Sequence, residues 1–309
     1  MKEALRFVGV EKRYGKAQAL AGLTFAVPTG AICGLVGPNG AGKTTTFGIV
    51  GGAIFHDAGE VDILGEGPFD RRRHGGRIAL LPQDCELNPF TPVRQLLRHY
   101  ARLHGLSAAA AERQVDALLD EVELRDRGGA RISELSHGMR RRVAVAQALL
   151  GNSELILLDE PTAGLDPHLV ARMREVFLRR RGRCTLVVSS HVLVELEQTC
   201  DHVVVLERGR LVRQGPLAEL IGAAGRLRAH FARRPGPGLL EAALPGVELR
   251  WRDDAVELIE AGADVSDLTR RFLRAVATLE LDLLSLQRGR SLEEAYLEDR
   301  ARAGAAAAP

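Results

Sequence analysis

The run Gly37-Pro38-Asn39-Gly40-Ala41-Gly42-Lys43-Thr44 has the spacing GxxxxGK[ST], and it directly follows the apolar segment Ile32 to Val36. Glycines at 37, 40 and 42 allow the backbone to curl so that successive N–H groups face one centre. A helix starting there adds roughly half a positive charge. This is phosphate-binding chemistry, and the pattern carries weight because a strand-like run precedes it. Lys43 is expected to neutralise β- and γ-phosphate oxygens and the Thr44 hydroxyl to ligate Mg²⁺, with Thr45 completing the phosphate-side set. A plain glycine-rich turn would leave the Lys-Thr pair without a reason.

A second pair of reactive groups ends another apolar run, Leu155-Ile-Leu-Leu-Asp159-Glu160. A strand in a parallel sheet delivers ligand-binding groups at its carboxyl end, where Asp159 would emerge and hold Mg²⁺ directly or through water. Glu160, one residue on, is placed to orient and deprotonate a water, provided that it lies within hydrogen-bond reach. Taken alone, two acidic residues after a strand fit a solvated turn equally well. Beside a phosphate loop, the catalytic reading is the stronger.

These groups need a layered scaffold, and short buried runs supply it: Ile32 to Val36, Ile78 to Leu81, Leu155 to Leu158, Thr185 to Val188 and Val203 to Leu206 predict strands of an α/β domain. From about 86 to 150 the periodicity turns helical. Thr91 and Pro92 read as N-cap and N1, Ser107 opens a helix through Leu124, and Ser136 caps a helix from Gly138 to Leu150. The pattern breaks at Gly222 to Gly238. A smaller α+β unit follows in the order strand, strand, helix, strand, helix. Val247, Leu249 and Trp251 alternate; Val265, Leu268, Phe272 and Val276 keep helical spacing; Leu279, Leu281 and Leu283 alternate again; and Ser291 with Glu294 forms a capping box. The expected domains are 1–220, with a helical insertion at about 86–150, and 221–309, whose Ala-rich end is expected to fray.

Composition removes several classes. Lys and Arg total 42 against 40 Asp and Glu, so no overall basic field favours nucleic acid or an anionic surface. Residues 221–309 match their arginines with acidic side chains and carry no basic footprint. The triplets Arg71 to Arg73, Arg140 to Arg142 and Arg179 to Arg181 are expected to be solvated faces. Cys33, Cys85, Cys184 and Cys200 are widely spaced and signal neither zinc nor a disulfide framework, which fits a reducing cytoplasm. No apolar run approaches the roughly 18 to 20 residues of a membrane span, and the N-terminus lacks the core of a signal peptide.

The remaining motifs resemble the ATP-binding cassette (ABC) family. Leu135-Ser136-His137-Gly138-Met139, followed by basic residues and an apolar helix, resembles its signature, placed before a Walker B-like strand. Ala163-Gly-Leu165-Asp166 resembles the D-loop, Gln83 after Leu81-Pro82 the Q-loop, His191 after Ser189-Ser190 the switch histidine, and Tyr14 the adenine-stacking aromatic. The resemblance covers residues 1 to about 220. It implies a P-loop cassette with a mixed sheet core, ATP and Mg²⁺ as ligands, Gln83 sensing the metal and attacking water, and His191 bonding the γ-phosphate. His191 and Tyr14 each keep a plain structural alternative, as a satisfied histidine and a core aromatic. His137 departs from the commonest signature, which has glycine there.

In this family the signature helix faces the γ-phosphate held by another subunit, so Ser136, Gly138 and Asp166 would serve a partner's site. One cassette per chain therefore implies a second cassette subunit, the same or similar. It also implies separate transmembrane permease subunits, with the chain peripheral on the cytoplasmic face and residues 84–90 receiving the permease's coupling helix. The C-terminal unit resembles that of bacterial exporters of the second export type. A soluble cassette protein acting on ribosomes or DNA is the alternative; such proteins commonly carry two cassettes or a long coiled coil, and this chain has neither.

Overall fold

The computed structural model describes residues 2–222, 225–260, 265–289 and 291–297. Two compact units divide between Gln214 and Gly215. The first contains strands β1 (Glu3–Tyr14), β2 (Ala17–Pro28), β3 (Ile32–Val36), β4 (Ala58–Ile63), β5 (Ile78–Leu81), β6 (Leu155–Asp159), β7 (Thr185–Ser189), β8 (His202–Glu207) and β9 (Arg210–Pro216). Its helices are α1 (Lys43–Val50), the single turn α2 (Arg71–His74), α3 (Val93–Leu103), α4 (Ala108–Glu121), α5 (His137–Ala148), α6 (Pro167–Leu178) and α7 (Leu193–Thr199).

Two sheets share these strands. One is antiparallel, in the order β2-β1-β4; the other has six strands in the order β5-β6-β7-β3-β8-β9, with parallel pairing from β5 through β8. Strands β3, β6 and β7 are buried at every position, as expected for strands covered on both faces. Their carboxyl ends therefore line up, which is what brings distant reactive groups together. The core between the sheets joins Phe7 and Phe25, stacked at 4.8 Å, to Leu35, Leu157, Val187, Val204 and Phe47 of α1. Each such fully buried aromatic contributes about 2–3 kcal/mol of transfer free energy.

Helices α3, α4 and α5 form the insertion between β5 and β6. Pro92, not Thr91, is the N-cap of α3, and no side-chain hydrogen bond caps it. Ser107 accepts from Ala110 N–H at the start of α4, which stops at Glu121 rather than Leu124 because Glu123 turns left-handed at φ 55°. Ser136 caps α5 through the Met139 N–H at 3.2 Å.

The second unit holds α8 (Leu217–Leu220), β10 (Arg226–Phe231), α9 (Leu239–Ala243), β11 (Glu248–Arg252), β12 (Ala255–Ile259), α10 (Val265–Thr278) and β13 (Leu283–Arg288), with residues 292–297 helical. Its antiparallel sheet runs β11-β12-β10-β13. Strand β10 lies inside the segment that the glycines were expected to break. Leu227, Ala229 and Phe231 alternate with Arg226, Arg228 and His230, and this face packs on Phe272 and Leu268 of α10. Leu279 and Leu281 fall in the turn before β13 rather than in a strand, since the Leu279 and Leu281 N–H groups close the end of α10. The Ser291–Glu294 capping box is formed in both directions at 3.1 Å. The Ala-rich end lies outside the described residues.

Burial raises the pKa of the Cys33 thiol well above its usual value and raises that of Cys200 too, leaving both neutral at physiological pH. Because the thiolate is the reactive form, Cys33 and Cys200 are expected to resist a thiol reagent in the folded protein and to react on denaturation. Stoichiometric native labelling of either, located by mass spectrometry, would contradict this placement.

Candidate functional site

An open cleft of about 690 Å³ lies at the carboxyl ends of β3 and β6. Its size falls in the range of small-molecule sites, roughly 300–1,000 Å³. The cleft gathers Tyr14, Pro38 through Thr45, Gln83, Asp159, Glu160 and His191, residues up to 177 positions apart in sequence. Parallel pairing does this: β3 carries the loop, β6 the acidic pair, β5 ends just before Gln83, and β7 ends just before His191.

The loop's shape is sterically dictated. A Cβ at Gly37 would lie 2.5 Å from the Leu206 carbonyl oxygen and 2.8 Å from Ala41 Cβ, so only glycine fits. Gly42 caps α1 at φ 105°, a left-handed conformation that L side chains avoid. No side chain caps α1 and its first turn holds no acidic residue, which leaves its N–H groups and positive end available for an anion. Lys43 is buried and its Nζ donates to the loop's own carbonyls, Gly37 O at 2.6 Å and Pro38 O at 3.3 Å. Its ammonium thus sits over the loop where phosphate oxygens would compete for it.

Thr44 Oγ1 donates to Asp159 Oδ2 at 2.9 Å, so a hydroxyl and a carboxylate already stand within reach of one hard cation. Ser189 Oγ donates to Asp159 Oδ1 and accepts from the Glu160 N–H at 2.9 Å. The β6–β7 register, which sets Asp159 opposite Ser189, makes this relay possible. Glu160 is buried and adopts φ 51°, a strained backbone for a non-glycine residue, at about 1–3 kcal/mol. His191 Nδ1 lies 2.9 Å from Glu160 Oε2, a contact the carboxylate accepts when Nδ1 carries the proton. His191 is exposed at the cleft rather than a satisfied core histidine, and Tyr14, 49% exposed, is not a core aromatic.

Four expected residues do not line this cleft: Gly37, which is buried, and Ser136, Gly138 and Asp166. Ser136 and Gly138 stand at the start of α5, where Gly138 faces Leu165 Cδ2, and Asp166 caps α6 through the Leu169 N–H at 3.0 Å. One triplet expected to be solvated is not: Arg141 and Arg142 are buried, because successive positions on α5 point them at different backbone carbonyls. The sequence motifs do not single out Ser189 or Arg141 as site residues. The β6–β7 pairing is the signal that points to Ser189; nothing in the local sequence marks Arg141.

The ABC transporter family model matches residues 20–163. The chain is 40% identical over 220 residues to a Nod factor export ATP-binding protein I of Burkholderia orbicola (strain AU 1054), covering 70% of this chain and 71% of the relative. It is 38% identical over 225 residues to the protein of the same name from Rhizobium sp. (strain N33), covering 71% and 73%. Among solved structures, an ATP-binding subunit of an ABC transporter superposes with TM-score 0.64 at 29% identity, over 70% of this chain and 91% of that one. A dimeric ATP-binding cassette bound to ADP and Pi shares the fold, with TM-score 0.63 at 23% identity over 69% of this chain and 98% of that one. A phosphate loop, an acidic pair and a signature-like helix start on this scaffold, with relatives at this identity over most of their length, make the chain a member of the ABC transporter ATP-binding family, an ABC ATPase.

Proposed function

We propose that this ATPase closes as a dimer around ATP and Mg²⁺ and powers export through a separate membrane protein, from the cytoplasmic face. The observation that carries the reading is the cleft in which the phosphate loop, Asp159, Glu160, Gln83 and His191 converge. Thr44 and Asp159 hold Mg²⁺, with Gln83 sensing the metal and the attacking water; Lys43 and the start of α1 bind the phosphates; Tyr14 stacks on the base; and Glu160 takes a proton from the attacking water while His191 bonds the γ-phosphate. Mg²⁺ supplies charge neutralisation at the phosphates.

Ser136, Gly138 and Asp166 lie outside the cleft of their own chain, which supports their serving a partner's nucleotide. ATP held between two closed subunits is bound more tightly than ATP held by one, and this difference in affinity supplies the work. No described helix is long and apolar enough to cross a membrane, so the translocation path is assigned to another polypeptide. Relatives named for Nod factor export, together with the appended C-terminal unit, favour export of the second type over import. The open groove of residues 84–89 beside His137 and Arg140 is the proposed seat of the coupling helix.

ATP hydrolysis per subunit is expected to rise with protein concentration and to saturate as dimers form. A specific activity that stays constant while light scattering reports only monomers would sink the dimer requirement. Purification from detergent extracts is expected to retain a stoichiometric membrane protein; ribosomes or DNA in its place would move the chain to the soluble class.

A further inference from the structure

Arg141 is a buried cation without a carboxylate partner. Its side chain makes no ion pair among the described residues, and it reaches four backbone carbonyls instead. Nη1 donates to Gln83 O at 2.9 Å and Pro82 O at 3.4 Å; Nη2 donates to Glu160 O at 2.7 Å and to Asp159 O; Nε has no partner. The two carbonyl pairs belong to different strand ends, β5 and β6. One planar guanidinium therefore fastens the start of the Gln83 loop to the acidic pair, a geometry that suits its rigid fork. Burial lowers the Arg141 pKa from its usual value, so the charge is held at a cost that the four carbonyls offset.

The next residue does something different. Arg142 Nη1 donates to Val122 O at 2.7 Å and Glu123 O at 3.0 Å, just beyond α4. Consecutive arginines on one helix thus tie α5 in two directions, Arg142 into the helical insertion and Arg141 into the sheet at the reacting groups. Ser136 and His137, at the other end of this arrangement, begin the same helix.

We propose that Arg141 is a positioning residue that makes the placement of Gln83 and Glu160 depend on where α5 sits. This rests on the function proposed above. When a nucleotide or a membrane partner displaces α5, the guanidinium carries that displacement to both strand ends, and the left-handed backbone of Glu160 is held in place by the same contact. The side chains that touch substrate remain those of the cleft; Arg141 acts through their main chain.

The test compares Arg141→Met, Arg141→Lys and Arg142→Met with the parent chain in full-length protein, reading kcat, the Kd for ATP and Tm. In folded Arg141→Met, kcat is expected to fall about ten- to a hundredfold while the ATP Kd stays within about threefold, the scale set by displacing reacting groups by an ångström. If Arg141→Met does not fold, Arg141→Lys must show the same split, because one ammonium cannot span two strand ends. Arg142→Met is expected to lower Tm without a split. Three results overturn the inference: kcat near the parental value in folded Arg141 variants, kcat and affinity falling together, or an equal split in Arg142→Met. A parent without ATPase activity, or Glu160→Gln turning over like the parent, rejects the proposed function and this inference with it. Parental activity with inactive Glu160→Gln and fully active Arg141→Met rejects the Arg141 role alone.

Discussion

Glu160→Gln is expected to lower kcat by about a hundred- to ten-thousandfold while ATP affinity stays near the parental value, the range a positioned general base contributes. Several features make this substitution clean. The groups that locate Glu160 are main-chain: its N–H donates to Ser189 Oγ and its carbonyl accepts from Arg141. Glutamine keeps both, keeps the side-chain volume, and suffers a similar cost at φ 51°. What it loses is the proton acceptor and the charge that meets His191. Lost turnover with retained binding therefore reports on chemistry rather than folding. Steady-state hydrolysis together with equilibrium titration of ATP decides the matter, and a kcat within tenfold of the parent would remove Glu160 from the role of base.

Lys43→Ala should instead be a binding defect, weakening ATP by about a hundredfold, since a hydrogen bond to a charged group is worth roughly 1.5–3 kcal/mol and each 1.4 kcal/mol is tenfold. Without nucleotide, Nζ only bridges Gly37 O and Pro38 O, within a loop that lines an open cleft from Pro38 onward. The apo protein should thus melt near the parental temperature. The difference appears on adding ATP, because a ligand stabilises by an amount set by its concentration over Kd. The parent's melting temperature should climb with ATP at concentrations where the variant's does not. Equal ATP-induced stabilisation in both would show that Lys43 does not meet the phosphates.

The parts of this molecule that can be read from the sequence are those written in adjacent residues. The loop from Gly37 to Thr44 and the end of the strand at Asp159 declare themselves because their steric and electrostatic demands fall on neighbouring positions. The buried strands are readable for the same reason, as β3, β6 and β7 are apolar almost throughout. Ser189 is different: its meaning comes from standing opposite Asp159 across a pair of strands, 30 residues away in the chain. Arg141 is hidden more deeply. A basic triplet at the start of an apolar helix looks like a wet face until the helix is laid against the ends of β5 and β6. Strand β10 is masked in the sequence although Leu227, Ala229 and Phe231 alternate plainly, because the glycines and prolines around it carry a stronger turn signal. At Leu279 and Leu281 a period of two occurs where hydrogen bonding closes a helix, so periodicity alone misplaces the start of the last strand.

The position of β3 between β7 and β8 has a consequence for how the chain is made. The strand that bears the phosphate loop is synthesised early, yet its neighbours on both sides begin only at Thr185 and His202. While the ribosome adds the intervening residues, β3 has no partners, and an apolar strand with open edges invites aggregation. Helices α3 to α5, whose contacts are closer in sequence, can form in the meantime. The nucleotide site is therefore completed late in translation, and a chain interrupted before about residue 185 would release its phosphate loop on an unpaired strand.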